Sequence, residues 1–251
     1  LDNIMLGSYS QNALSGAATV NQIFFIVNQL ALSIGNALVA ICSQYWGKQE
    51  TGAIRKMTGV ALALSVLIGA IVVTACTRIP EQLLRIFTTS PEIIAEGKAY
   101  LGLLKWTFLL FMISNLLIAM LRSVETVKIS FVISVVSLIT NGCINYTLIF
   151  GHFGFPEMGI QGAAVGTLTA RMLELLIIVV YIWKIDTKVR LFDINLFRTI
   201  FLPENRKIWG AFFKVAFPIM CSGMIWAISV PMQTAILGHL SADAIAANSV
   251  S

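Results

Sequence analysis

The sequence predicts an all-α, polytopic membrane protein, and three observations predict it. Apolar residues fill 57% of the 251 positions and charged residues only 12%, about half the roughly 25% usual in a soluble domain. Apolar runs of the roughly 20 residues needed to cross a ~30 Å hydrocarbon core recur along the chain with short polar breaks between them. The basic residues collect in every second break, as membrane topology requires. Helices are the economical way to span lipid because each satisfies its own backbone groups. Barrel strands would be about half as long and would alternate in polarity.

Taken in order, residues 1 to 9 form the tail of a first span, and a second runs from 14 to 45, ending at QYWGKQETGAIRK. A third covers 53 to 76. In the 77 to 98 connection, Ser90-Pro91-Glu92 marks a helix start: Ser as N-cap, Pro in the first turn, an acid at the positive end of the dipole. The fourth span, 99 to 121, is therefore expected to begin with an extramembrane turn. Further spans fit 128 to 150, 160 to 184 and 208 to 238, and another begins near 242. The connection from 185 to 207, with Asp186, Asp193 and Pro203 among its basic residues, is the expected domain boundary. It divides a six-helix lobe at 1–184, with a truncated first helix, from the start of a second lobe at 208–251. The chain starts without Met and stops in mid-pattern at Ser251, so a fragment is expected.

Loops near 46–56, 121–128 and 184–214 hold Lys48, Arg55, Lys56, Arg122, Lys128, Lys184, Lys188, Arg190, Arg198, Arg206, Lys207 and Lys214, which is 12 of the 17 Lys and Arg. The positive-inside rule places these loops in the cytoplasm and leaves SYSQNA, 77 to 98 and GHFGFPEMG outside. A multi-pass protein of the plasma membrane, in contact with the lipid bilayer, is the expectation. The net charge of +5 is dispersed and forms no basic stripe, which argues against nucleic acid. Cys42, Cys76, Cys143 and Cys221 are far apart with no CxxC, so no metal or redox cofactor is expected. HExxH, G-x-S-x-G and phosphate-loop patterns are lacking, and His152 and His239 fall in outer loops; enzyme chemistry is not expected.

IMLGSYSQNALSGAA at 4 to 18 returns as AILGHLSADAIAANS at 235 to 249, shifted by 231 residues. Leu6, Gly7, Ser10 and Ala13 face the identical Leu237, Gly238, Ser241 and Ala244. Six spans separate the copies, so both meet the same side of the membrane, and an intact chain of about twelve spans follows. Parallel repeats of this kind build one large group of secondary transporters. Asp2 has Gln233 as its counterpart, so its carboxylate belongs to the first half alone.

At 1.5 Å per residue Asp2 lies roughly 8 to 15 Å inside the outer surface. A charge at that depth costs at least ~2.5 to 3.5 kcal/mol and belongs in the bundle interior as a functional candidate. Low dielectric disfavours an ionised carboxyl, so a proton can come and go there. The alternative is an interfacial acid near a helix end. Glu174 competes for the role roughly 21 Å into its span, but Arg171 stands three positions earlier on the same face and would neutralise it as a structural pair. Lys105 lies near its span's start, where its stem can snorkel outward. Asn141 and Asn145, four residues apart, stack on one helix face, and Asn28, Gln29, Asn115 and Thr167 add oxygens from other spans. These groups serve either as interhelical glue or, with a carboxylate, as hard ligands for a small cation such as sodium. Pro218 and Pro231 invite kinks in 208–238.

NYTLIFGHFGFPEMGIQGAAVGT at 145 to 167, with Asn141 before it, resembles the fifth-to-sixth helix region of the multidrug and toxic compound extrusion family, MATE. LDNIMLG with Ala13-Leu14, and QYWGKQE after the second helix, resemble it too. LRSVE at 121 to 125 matches the family's LRxxG stretch with Glu125 where Gly is usual. The resemblance covers all 251 residues. It implies a monomeric twelve-helix, two-lobe antiporter that exports cationic or amphipathic small molecules in exchange for protons or sodium, by alternating access and without a cofactor. It further implies ion coupling at Asp2, Asn141, Asn145 and Thr167, with sodium possible at the first three. Position 145 is Asp in some members, and a seventh-helix acid of other members is Trp226 here. Both departures favour proton coupling through Asp2. The alternative function is a flippase for a lipid-linked precursor, on a related fold; Arg171 as the lone deep cation argues against it.

Overall fold

The structure, a computed structural model, describes residues 2–193 and 206–240. The described residues are almost wholly helical: α1 Asp2–Tyr9, α2 Gln11–Gly47, α3 Thr51–Arg78, α4 Pro80–Arg85, α5 Pro91–Ser123, α6 Lys128–Phe150, α7 Gly159–Lys184 and α8 Arg206–Leu240. Six of these are long and apolar enough to cross a membrane. The spans expected from the sequence sit inside α2, α3, α5, α6, α7 and α8. Residues 194–205 of the expected domain boundary at 185–207, and the expected span near 242 with most of the second copy of the repeat, lie outside the described residues.

Two local readings are refined. α5 does start at Pro91, ahead of the apolar run, but the Ser90 hydroxyl makes no capping bond although its backbone is extended as an N-cap requires. The 77–98 connection also contains α4, which the sequence reading did not resolve. α4 begins on a proline, carries a Glu81–Arg85 ion pair of 2.6 Å one turn apart, and buries Leu84.

α5 is the central helix and packs on α2, α3 and α7; α6 lies on α7, α1 touches α2, α6 and α7, and α8 runs along α2 and α3. Half of the apolar stretch of α5 is buried, against 17% for α6. Phe108, Met112 and Leu116 of α5 are sealed in the core, whereas Phe131, Leu138 and Ile139 of α6 stay exposed. Such a face needs no further protein, because lipid tails are as apolar as the side chains themselves.

Small residues let α6 and α7 approach closely. A Cβ on Gly162 would come within 2.7 Å of the Leu148 carbonyl carbon, and one on Gly166 would run into Asn145 Oδ1. Gly162 and Gly166 are the ends of a G-x-x-x-G stretch, the spacing that allows backbone contact between membrane helices.

The basic loops meet at one end of the bundle. Lys188 Nζ donates to the Val124 carbonyl at 2.6 Å and Arg55 Nε to that of Val189 at 2.5 Å. The Asp186 carboxylate accepts from the backbone N–H groups of Lys188 and Arg190, each at 3.1 Å. The chain after α7 is thereby folded back over the ends of α3 and α5. At the same end Gln49 and Glu125 both have φ of 59°, the left-handed region. Glycine is the usual occupant of that conformation after a helix, which gives a backbone reason for the Gly expected where Glu125 stands.

Candidate functional site

The chain brings together, from three helices, the four residues singled out as an ion site. Asp2 opens α1, Asn141 and Asn145 lie one turn apart on α6, and Thr167 is on α7. Asn145 Nδ2 donates to Asp2 Oδ1 at 2.7 Å and Thr167 Oγ1 donates to Asp2 Oδ2 at 3.0 Å. A second layer closes the ring: Asn141 Nδ2 donates to Thr167 Oγ1 at 3.2 Å, and Asn145 Nδ2 reaches Asn141 Oδ1 at 3.4 Å. Asn145 is fully buried. Its Oδ1 rests against Gly166 and has no hydrogen-bond partner among the described residues. Tyr100 of α5, also buried, has Thr167 and Asp2 as polar neighbours.

Only neutral groups hold Asp2. Among the described residues the two ion pairs are Glu81 with Arg85 and Glu174 with Arg171, and neither involves it. A carboxylate held this way keeps lone pairs open, since two donors leave part of its roughly four acceptor sites free, and among the described residues no cation is paired with it.

Arg171 and Glu174, three residues apart on α7, form an ion pair with Nη1 to Oε2 at 2.6 Å. The other Glu174 oxygen accepts from Ser114 Oγ at 3.0 Å, and the guanidinium carbon lies 4.9 Å from the centre of the Phe111 ring. The link therefore ties α7 to α5. Both carboxylates open on one cavity of about 420 Å³, which Asn115, Asn141, Thr167 and Arg171 also line.

Other sequence candidates lie elsewhere. Lys105 is 5.8 Å from the ring centre of Trp106. Gln29 shares a separate groove of about 610 Å³ with Pro218 and Trp226, between α2 and α8, and Trp226 lies 5.5 Å from Phe25, ring to ring. Cys42 and Cys76 are buried, Cys143 and Cys221 exposed. No group of three or more His, Cys, Asp or Glu forms a metal site among the described residues. Of the proline pair, only Pro218 is described in its surroundings.

Sequence reasoning passed over Ser134 and Ser137, which line the same cavity. The signal was present: Ser130, Ser134, Ser137, Asn141 and Asn145 recur every three or four residues, a polar stripe along α6. Phe111 and Ser114 carried no such signal, because the polar residues within the apolar stretch of α5 (Lys105, Thr107, Ser114 and Asn115) form no regular stripe.

A family model described as MatE matches residues 1–147, which holds α1 to α5 and most of α6. The chain belongs to the MatE family. It is 27% identical over 250 residues to a probable multidrug resistance protein NorM of Thermotoga maritima, covering 99% of this chain and 52% of that protein. A probable multidrug resistance protein NorM of Bacillus cereus is 30% identical over 257 residues, covering 98% and 54%. The chain thus spans about half the length of the curated relatives it matches. Among solved structures, a MATE protein in a bent conformation superposes with a TM-score of 0.85 at 19% identity, over 98% of this chain and 53% of that one. A MOP superfamily transporter from Pyrococcus furiosus gives 0.82 at 19% identity, over 98% and 52%. These likenesses carry the MATE fold onto the chain; the two relatives are named as probable multidrug resistance proteins, and the chain is a multi-pass membrane protein of the MatE family.

Proposed function

We propose that the full-length protein is a secondary antiporter that exports cationic or amphipathic compounds in exchange for protons, with sodium as the less favoured ion. The observation that carries the reading is Asp2, a carboxylate held by Asn145 and Thr167 and by no cation, on the wall of a cavity among the helices. Asp2 is the coupling residue, and Asn141, Asn145 and Thr167 position it. A proton and a cationic substrate compete for the one uncompensated charge, so loading either expels the other. Each ligand can shift the conformational equilibrium only by its differential affinity for the two states, and this competition supplies that difference.

Protons are favoured over sodium for a coordination reason. Asn145 directs its N–H toward Asp2, and a sodium ion in its place would need the amide turned to present oxygen. Asp2 would also be the only charged ligand, since position 145 is not a second acid. On this reading α1–α7 make the first of two lobes, 185–207 is the connection, and α8 starts the second. The basic loops face the cytoplasm of a plasma-membrane protein that works as a monomer.

The test is dye efflux from lipid vesicles that hold the full-length protein, with proton and sodium gradients imposed separately. The proton gradient should drive efflux in the wild type and not in Asp2→Asn. Efflux driven only by sodium would reverse the ion assignment, and unchanged efflux in the variant would remove Asp2 from coupling.

A further inference from the structure

Three of the five Lys and Arg outside the basic loops gather at the opposite end of the bundle, where α3, α4 and α5 meet. Arg78, Arg85 and Lys98 line one cavity of about 520 Å³ there, together with Glu81. Glu81 is committed to Arg85 at 2.6 Å, and Arg78 and Lys98 form no ion pair among the described residues. The acids in the first turns of α5 are turned elsewhere: Glu92 accepts from Asn12 Nδ2 at 3.1 Å, and Glu96 lies against Gly16 of α2. Two cations therefore stand in excess of the acids in this cavity. Positive charge at this end runs against the charge bias that sets membrane topology, so topology does not account for it.

An apolar groove of about 440 Å³ starts at the same Arg78 and runs back along α3, lined by Leu67, Ala70, Ile71, Thr74 and Ala75. Leu67 and Ile71 are exposed on the helix surface. From Leu67 to Arg78 the helix rises about 16 Å, close to half of a ~30 Å hydrocarbon core and so to the depth of one leaflet. Just after α4, Ile86 and Phe87 stand exposed, apolar side chains suited to the boundary between headgroups and acyl chains. We propose that this corner binds an anionic phospholipid from the leaflet opposite the basic loops. Arg78 and Lys98 receive its phosphate, and one acyl chain lies in the groove of α3. The guanidinium fork matches two phosphate oxygens, and the lysine adds a point charge. A free phosphate ion would use the cations and leave the groove empty, whereas a lipid fills both. The bound lipid bridges the end of α3 to the start of α5, across α4, and its binding is independent of coupling at Asp2.

Native mass spectrometry of the purified full-length protein in detergent reads this binding, with phosphatidylglycerol and the net-neutral phosphatidylcholine, matched in chain length, as probes. The wild type should retain phosphatidylglycerol in preference to phosphatidylcholine. The double variant Arg78→Gln/Lys98→Gln leaves the Glu81–Arg85 pair in place and should weaken phosphatidylglycerol about tenfold or more, and phosphatidylcholine less than about threefold, the loss expected for two basic residues facing an anionic headgroup. Lys48→Gln/Lys56→Gln removes two cations at the other end and should leave the preference unchanged. Ala70→Leu fills the groove at a lipid-facing position with both cations intact. It should weaken both lipids by a few fold, which keeps the test open if the charge variant unfolds. Phosphatidylglycerol binding unchanged in the Arg78/Lys98 variant, an equal loss of both lipids there, or the same loss in the Lys48/Lys56 variant overturns the proposal. Binding unaltered by Ala70→Leu, or displaced by inorganic phosphate in excess, would make the cluster a free-anion site and overturns it as well.

Discussion

Asp2 and Glu174 share one cavity, yet only one of them has a counter-ion among the described residues. Glu174 has a guanidinium at 2.6 Å and a serine hydroxyl on its other oxygen. Asp2 has two neutral donors, Asn145 at 2.7 Å and Thr167 at 3.0 Å. Neutral hydrogen bonds shape and orient a carboxylate; an adjacent cation also cancels its charge. The difference teaches that depth in a membrane does not by itself make an acid a coupling site. On the function proposed above, the acid without a fixed counter-ion is the one that exchanges a proton for a substrate, while the acid with one links α7 to α5.

Asp2→Asn breaks the comparison outright and has the largest expected effect. Proton-driven efflux from vesicles should fall to background, while thermal unfolding in detergent changes little, because an amide still accepts from Thr167. Gly166→Ala comes next and acts on the Asp2 side alone. The added methyl collides with Asn145 Oδ1, so Asn145 must leave Asp2 or the α6–α7 contact must open. Overpacking of this kind costs about 1–3 kcal/mol, read as a lowered unfolding midpoint, and efflux should drop with it.

Arg171→Gln makes the two acids alike by leaving Glu174 without its cation. Breaking a buried pair from one side costs ~3–5 kcal/mol, reduced here toward ~2 kcal/mol because the guanidinium is partly exposed. The loss should be largely recovered in the double variant with Glu174→Gln, measured as an unfolding midpoint returning toward wild type. Glu125→Gly touches neither acid and has the smallest effect. Relief of the left-handed backbone should raise stability by about 0.5–1 kcal/mol with efflux unchanged.

Most of the fold was legible because lipid imposes a simple code. Long apolar runs with basic loops gave α2, α3, α5, α6, α7 and α8, and α6 was placed at Lys128–Phe150 to the residue. α4 escaped because six residues, PEQLLR, carry too little apolar periodicity to stand out from a loop. In the site, polar groups at membrane depth are costly enough to mark themselves, which pointed to Asp2, Asn141, Asn145 and Thr167 but equally to Asn28, Gln29 and Asn115; the family resemblance picked out the four. Gly166 was not, because its role is to leave room, and a missing side chain announces nothing in sequence. That Asp2 and the Arg171–Glu174 pair open on one cavity was also invisible, because it depends on how α1, α5, α6 and α7 close around a common space.

The central claim is that Asp2 gives up a proton when a cationic substrate arrives. Calorimetry of cationic dye binding to the purified full-length protein, repeated in buffers of different ionisation enthalpy, counts the protons released. The account predicts proton release in the wild type that climbs toward about one per dye as the assay pH is lowered, with the same dependence retained in Glu174→Gln and lost in Asp2→Asn. The same release from wild type and Asp2→Asn would contradict it.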